Sequence, residues 1–261
     1  MYQVNPAAAV KTVCILRLSA LGDATHVLPL IRTLQKNLPE TGITWILGKG
    51  EAKLMEGLDG VELIAFDKKA GLQGLKDLTQ ALDGRRFDVL LQMQLALRAN
   101  LVSAVISAKR RIGYDRERAK EGHGLFVNER IRHDGHHVLD VFGLFAEPLG
   151  FRQTEVNWNM PVPPEAHAWA AAQWPAGKPT LLISPCSSHV LRNWLPERYA
   201  AVAAHAMGRG WQGPGGVWGG KAPPALASPF STVSQRPASA PACMPPAGTA
   251  AGGGWAAGRR G

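Results

Sequence analysis

Thr12-Val13-Cys14-Ile15-Leu16-Arg17-Leu18-Ser19-Ala20-Leu21-Gly22-Asp23-Ala24-Thr25-His26-Val27-Leu28-Pro29 is the stretch on which the fold turns. Thr12 to Leu18 is a short apolar run with β-branched residues, bounded by Ser19 and Gly22, and it predicts a buried strand. A helix follows: Thr25 can cap it, and Val27, Leu28, Leu30, Ile31, Leu34 and Leu38 recur at helical spacing until Pro39 stops the run.

The same alternation continues outward. Ile43–Leu47 predicts a second strand, 51–56 a short helix and Val61–Phe66 a third strand. Leu72–Leu82 is helical, 87–93 a strand, 98–107 a helix, and Arg111-Ile112-Gly113 short and extended. Residues 136–149 close this half with a helix. Strands alternating with helices of this length specify an α/β fold, with right-handed crossovers around a mostly parallel sheet. The division expected is a first lobe over 1–156, a proline-rich linker over 157–164, and the start of a second lobe over 165–212. In that second lobe 165–173 is helical, 179–184 a strand and 196–207 a helix with Pro196 in its first turn.

Composition breaks after Gln212. Of the 261 residues, the last 49 hold 11 Gly, 8 Pro and 11 Ala, with four basic residues and no Asp or Glu. The chain carries +9 in all, and residues 1–212 account for +5 of it. The 213–261 segment has too few large apolar residues and too many breakers to complete a lobe, and it reads as disordered or out of frame.

Several classes are set aside at this stage. The N-terminus has no basic region followed by an apolar run, so no secretory signal is read and a cytoplasmic location is expected. No stretch approaches the roughly 18 apolar residues that span a bilayer. Cys14, Cys186 and Cys243 are scattered, which fits neither a disulfide framework nor a zinc site, and Cys14 reads as a small core residue. His133, His136 and His137 lack a carboxylate at ligand spacing, so no metal is expected. The positive charge is not gathered into a basic run with interleaved aromatics, which argues against nucleic acid.

Ligands of a parallel α/β sheet sit outside the carboxyl ends of its strands. Two loops qualify. In the first, Gly22 permits a tight turn and Asp23 stands at the mouth of the next helix, as a helix cap or as a catalytic carboxylate. Neither GxxxxGK[ST] nor GxGxxG is present, so ATPase and nicotinamide readings lose their main support. The second, 184–196, offers the hydroxyls of Ser187 and Ser188 and the guanidinium of Arg192, a phosphate cradle or an ordinary polar turn.

Arg17 to Pro29, the segment Arg111-Ile112-Gly113-Tyr114-Asp115-Arg116-Glu117-Arg118-Ala119-Lys120-Glu121, and Ser187-Ser188 followed by Arg192-Asn193-Trp194 together resemble the family 9 glycosyltransferases, the ADP-heptose:lipopolysaccharide heptosyltransferases. The resemblance covers roughly residues 11–212. It implies a GT-B-like fold: a Rossmann-like N-terminal lobe and a second Rossmann-like lobe, incomplete in this chain. It also implies Asp23 as the general base of an inverting transfer. By the same resemblance Ser187, Ser188 and Arg192 contact the donor phosphates, where the family often has Thr-Thr and Lys. Lys120 handles the anionic acceptor, with Lys68 and Lys69 as further candidates whose other reading is a solvated basic turn. The donor implied is ADP-heptose, with no further cofactor. The acceptor is the lipid-linked inner core of lipopolysaccharide, met by peripheral contact at the cytosolic face of the inner membrane.

The resemblance stops where the family continues with a loop beginning Asp-Thr-Gly, which occurs nowhere in this chain. Reading residues 249–261 one nucleotide downstream permits Leu-Leu-Leu-Ala-Ala-Ala-Gly-Leu-Gln-Val-Gly-Ala, which has the character of a helix running into a strand. A frameshift after about codon 212 is therefore the expectation, with turnover impaired by loss of the donor site. The alternative is a non-catalytic module that binds an anionic glycolipid or sugar through the first lobe.

Overall fold

A computed structural model of the chain describes residues 10–153, 156–174, 177–183 and 193–216. It forms two units, the first running through Val162 and the second from Pro163. In the first unit β1 (Thr12–Leu16), β2 (Gly42–Gly48), β3 (Val61–Phe66), β4 (Arg86–Gln92), β5 (Ser107–Gly113) and β6 (Glu129–Arg130) make one parallel sheet in the order β3-β2-β1-β4-β5-β6. Parallel strands covered on both faces need apolar side chains on both, and β1 supplies them. Val13 and Ile15 join one core cluster with Ile31, Leu34, Phe142 and Phe145, while Cys14 and Leu16 join the other with Leu78, Leu82 and Val102. The two-residue period of the strand thus divides the core in two.

α1 (Leu21–Thr25), α2 (Leu28–Asn37), α3 (Lys49–Leu54) and α6 (Val138–Gly143) contribute to the first cluster, and α4 (Gly71–Leu82) and α5 (Leu97–Ala104) to the second. The helix after β1 is two helices, and it starts before Thr25. Asp23 accepts the N–H of Ala20 at 3.3 Å, which nucleates the turn early, and Thr25 gives its hydroxyl to the Gly22 carbonyl at 2.7 Å. Pro29 then stands in the first turn of α2.

Two other elements differ from expectation for physical reasons. β5 starts at Ser107, where a helix was expected to end, and Arg111–Gly113 is only its last part. Only the two-residue β6 lies beyond it, so the first half of β5 is an edge that tolerates Lys109 and Arg110 and shows no apolar run. The helix expected over 136–149 is α6 followed by a 3-10 turn, Leu144–Leu149, because Pro148 has no N–H to continue it. Residues 157–162 are packed on the first unit: the Asn159 carbonyl accepts from Arg32 at 2.9 Å, and Met160 lies against the core.

The second unit holds α7 (Pro164–Gln173), β7 (Thr180–Ile183), α8 (Pro196–Gly208) and β8 (Gln212–Gly216). β7 and β8 pair in parallel with a register irregularity between Thr180 and Leu182. Pairing therefore extends four residues past the compositional break, since a ladder needs backbone only; Pro214, which lacks a donor, stands at the irregularity. Gln212 anchors the strand, donating to the Thr180 hydroxyl at 2.5 Å and the Lys178 carbonyl at 3.1 Å.

Candidate active site

The strand order reverses between β1 and β4, which makes the gap between their carboxyl ends the topological switch point of the sheet. The two loops beside that gap are tied together. Leu18 N–H donates to Gln94 Oε1 at 2.7 Å, and Gln94 Nε2 donates to the Ser19 hydroxyl at 3.2 Å. Arg17 reaches across as well: its Nη1 donates to the Met93 carbonyl at 2.5 Å. The Tyr114 hydroxyl donates to the same carbonyl at 3.1 Å, and burial pushes that phenol up to about 12. Phe142 lies under the guanidinium, 5.2 Å from it, so the charge is also held by a ring face.

Arg17 Nη2 pairs with Asp23 Oδ2. That oxygen also takes the Ala20 N–H, while Oδ1 has no protein partner among the described residues. The Arg17 side chain is 12% exposed and that of Asp23 38%, so a buried cation holds a carboxylate that opens to solvent. Asp23 is thus both a first-turn helix residue and a presented carboxylate. One turn on, His26 Nδ1 donates to the Gly22 carbonyl at 2.7 Å. Its ring lies 5.8 Å from that of His137 and 6.3 Å, edge-on, from that of Trp158. Gln94, Tyr114, Phe142 and Trp158 were not singled out from sequence, because only the fold brings the first three to the Arg17 loop and Trp158 to His26.

The segment from Arg111 to Glu121 is largely a brace. The Arg111 guanidinium donates to the carbonyls of Ser103 and Ile106 at 2.6 Å and of Phe126 at 2.7 Å. Asp115 accepts from Arg118 and His133, at 2.6 and 2.9 Å; burial raises its carboxyl, but these hydrogen bonds outweigh it and hold the group down at about 2. Arg118 also bonds the carbonyls of Asp134 and Gly135, each at 2.7 Å. His123 is buried: its Nε2 accepts the Tyr114 N–H at 3.0 Å, so Nδ1 carries the proton toward Asn100 Oδ1 at 3.1 Å. Lys120 faces solvent at the end of this segment.

Lys68 and Lys69 part company. Lys68 Nζ donates to the Leu18 carbonyl at 3.1 Å and pairs with the buried Glu51 at 3.1 Å, bracing the exit of β1. Lys69 faces solvent. Ser187, Ser188 and Arg192 lie outside the described residues. Among the described residues no cluster of three or more His, Cys, Asp or Glu could hold a metal ion, and no helix is long and apolar enough to cross a membrane. His137 instead caps α6, accepting the Leu139 N–H at 3.2 Å.

The lipopolysaccharide core heptosyltransferase OpsX of Haemophilus influenzae is 43% identical to this chain over 196 residues, which are 75% of this chain and 56% of the relative. The chain thus spans little more than half the length of that relative. Among solved structures, a family 9 glycosyl transferase from Veillonella parvula superposes with a TM-score of 0.71 at 18% identity, covering 89% of this chain and 70% of that one. The E. coli heptosyltransferase WaaC, solved with ADP, superposes with a TM-score of 0.65 at 19% identity, covering 84% and 73%. These neighbours share the α/β, GT-B-like fold. The sequence model of glycosyltransferase family 9 (heptosyltransferase) matches residues 75–213, more than half of the chain. The chain belongs to glycosyltransferase family 9.

Proposed function

We propose that the first unit is the acceptor half of a heptosyl transfer from ADP-heptose to the inner core of lipopolysaccharide, with Asp23 as the general base. The observation that carries this reading is the division between the two oxygens of Asp23. Oδ2 is committed to Arg17 and Ala20, while Oδ1 has no partner among the described residues and stands at the switch point. An acceptor hydroxyl placed there gives its proton to Oδ1 as its oxygen forms a bond to the anomeric carbon. The bond from that carbon to the diphosphate breaks on the opposite face, and ADP leaves with the electron pair, inverting the centre in one step. Lys120 and Lys69 face solvent on the same carboxyl-end side of the sheet, where an anionic acceptor would approach. Ser187, Ser188 and Arg192 are proposed as the donor-phosphate contacts of the second unit, on the resemblance of their motif alone. The lipid-linked acceptor places the enzyme at the cytosolic face of the inner membrane.

The test is single-turnover ADP release with enzyme in excess, which reads slow transfer in a chain without an Asp-Thr-Gly loop. D23N should lower the rate by about 10²- to 10⁴-fold while acceptor binding, measured by calorimetry, stays near that of the parent chain. Transfer by D23N at the parent rate would refute the assignment. Acceptor binding without any donor-dependent release, in the parent chain as in D23N, would instead support the second reading, a non-catalytic glycolipid-binding module.

A further inference from the structure

His26, His137 and Trp158 come from three separate segments and meet beside Asp23. His26 ends α1 one turn after Asp23, and its ring is folded back onto the Gly22 carbonyl, 2.7 Å from Nδ1. The His137 ring, at the start of α6, lies 5.8 Å from that of His26, and Trp158 stands edge-on to His26 at 6.3 Å. Trp158 is 40% exposed, yet the chain around it is pinned. The Asn159 carbonyl accepts from Arg32 at 2.9 Å, Met160 lies against the core, and the Pro161 Cβ comes within 3.9 Å of where a Cβ on Gly57 would stand. Asn159 has a φ of 27°, in the left-handed region, and that bend leaves the indole outside while Met160 turns inward. An uncommon backbone conformation thus holds a large ring at the surface, next to the proposed base.

The two imidazoles are set in opposite senses. A carbonyl only accepts, so the bond to Gly22 fixes the proton of a neutral His26 on Nδ1 and leaves Nε2 as an acceptor. His137 Nδ1 accepts the Leu139 N–H at 3.2 Å, so its proton is on Nε2, which is a donor. Neither Nε2 has a hydrogen-bond partner among the described residues. An acceptor and a donor side by side suit a group that can be both. A phosphate or carboxylate oxygen brings only lone pairs and would face the lone pair of His26 Nε2, so the arrangement selects against anions. A hydroxyl satisfies either nitrogen, and neighbouring hydroxyls of one sugar ring satisfy both at once. The C–H face of such a ring is apolar enough to lie on an indole.

We infer that His26, His137 and Trp158 form a subsite that binds a neutral sugar ring through a diol. One hydroxyl donates to His26 Nε2, its neighbour accepts from His137 Nε2–H, and the ring lies against Trp158. The sugar assigned is the acceptor residue that bears the reacting hydroxyl, since His26 stands one turn from Asp23. That assignment rests on the proposed transfer; the diol chemistry does not. The subsite supplies a discrimination that charge cannot. Lysines facing solvent attract any anion, whereas a site built on hydroxyl hydrogen bonds rejects an analogue that lacks them, because its own polar groups are then left unpaired.

The test is saturation-transfer difference NMR on the full chain, with no nucleotide sugar present and methyl α-mannopyranoside as the probe. Its ring offers both a cis and a trans pair of neighbouring hydroxyls. 2-Methoxytetrahydropyran, the same ring without hydroxyls, is the control. The parent chain should bind the pyranoside, and the control at least about tenfold more weakly. H26F keeps a ring without nitrogen, and H137S keeps a capping oxygen for α6 without the imidazole donor. These variants and W158A should each weaken pyranoside binding about tenfold, with unchanged far-UV circular dichroism. No binding by the parent chain, equal binding of the control, or H26F and H137S binding the pyranoside like the parent would overturn the proposal. No transfer takes place in this experiment, so failure here leaves Asp23 standing as the base, and transfer by D23N at the parent rate leaves the subsite standing.

Discussion

Arg17 and Asp23 are six residues apart, and their ion pair joins the exit of β1 to the first turn of α1. Arg17 is held independently of Asp23, by the Met93 carbonyl at 2.5 Å and the Phe142 ring at 5.2 Å, so the buried cation sets where the carboxylate points. A planar fork can reach both Met93 and Asp23, whereas an ammonium serves one at a time. R17K should therefore slow single-turnover transfer by about 10²-fold, the scale of a small misplacement of a reacting group. The accompanying loss of stability should be about 1–3 kcal/mol in urea denaturation. A rate equal to that of the parent chain would show that Asp23 needs no positioning.

Gly113 ends β5 against His123. A Cβ at this position would stand 2.4 Å from His123 Nε2 and 2.6 Å from Val127 Cγ1. Both neighbours are buried, and His123 is fixed by Tyr114 and Asn100, so neither can yield freely. G113A should cost about 1–3 kcal/mol by overpacking, read as a lower midpoint in urea at constant m-value. In an H123A background the same change should cost less, because the nearest obstacle is gone.

β1, β2 and β4 were legible because each buries apolar side chains on both faces, and β3 because Val61, Leu63, Ile64 and Phe66 still pack against both clusters from the edge; that pattern survives in a single sequence. β5 was not, because an edge can carry Lys109 and Arg110 where a central strand could not. The position of Asp23, in the first turn of a helix after a strand, was legible. Arg17, Gln94 and Tyr114 could not be joined to it without knowing that β4 lies beside β1.

His123 supplies a pH dependence. Burial, and to a lesser degree the charge of Arg130, bring its imidazole from 6.5 down to about 4. The unfolded chain therefore binds a proton between these values that the folded chain refuses. Stability is full above about pH 6.5 and falls as pH drops toward 4, with a slope approaching about 1.4 kcal/mol per pH unit. Asp115 acts in the same direction, but lower, between the ordinary aspartate value and about 2. H123Q should flatten urea-derived stability between pH 6.5 and 4 and leave the fall below pH 4 in place. An unchanged slope would assign the effect to other groups.

Cys14 gives a probe of the centre of the sheet. It is fully buried in β1, with β2 on one side and β4 on the other, and burial pushes its thiol far above the usual value. A thiolate reagent can then reach it only when the strand is released from both neighbours, an opening that approaches global unfolding of the unit. In a C186S/C243S background the single remaining thiol should be inert to an aromatic disulfide reagent in native buffer and react as fast as free cysteine in concentrated urea. Its labelling midpoint should coincide with loss of the far-UV signal from the first unit. Fast labelling in native buffer would mean that β1 opens locally, and a strand that opens there could not hold Arg17 against Met93 or keep Asp23 in place.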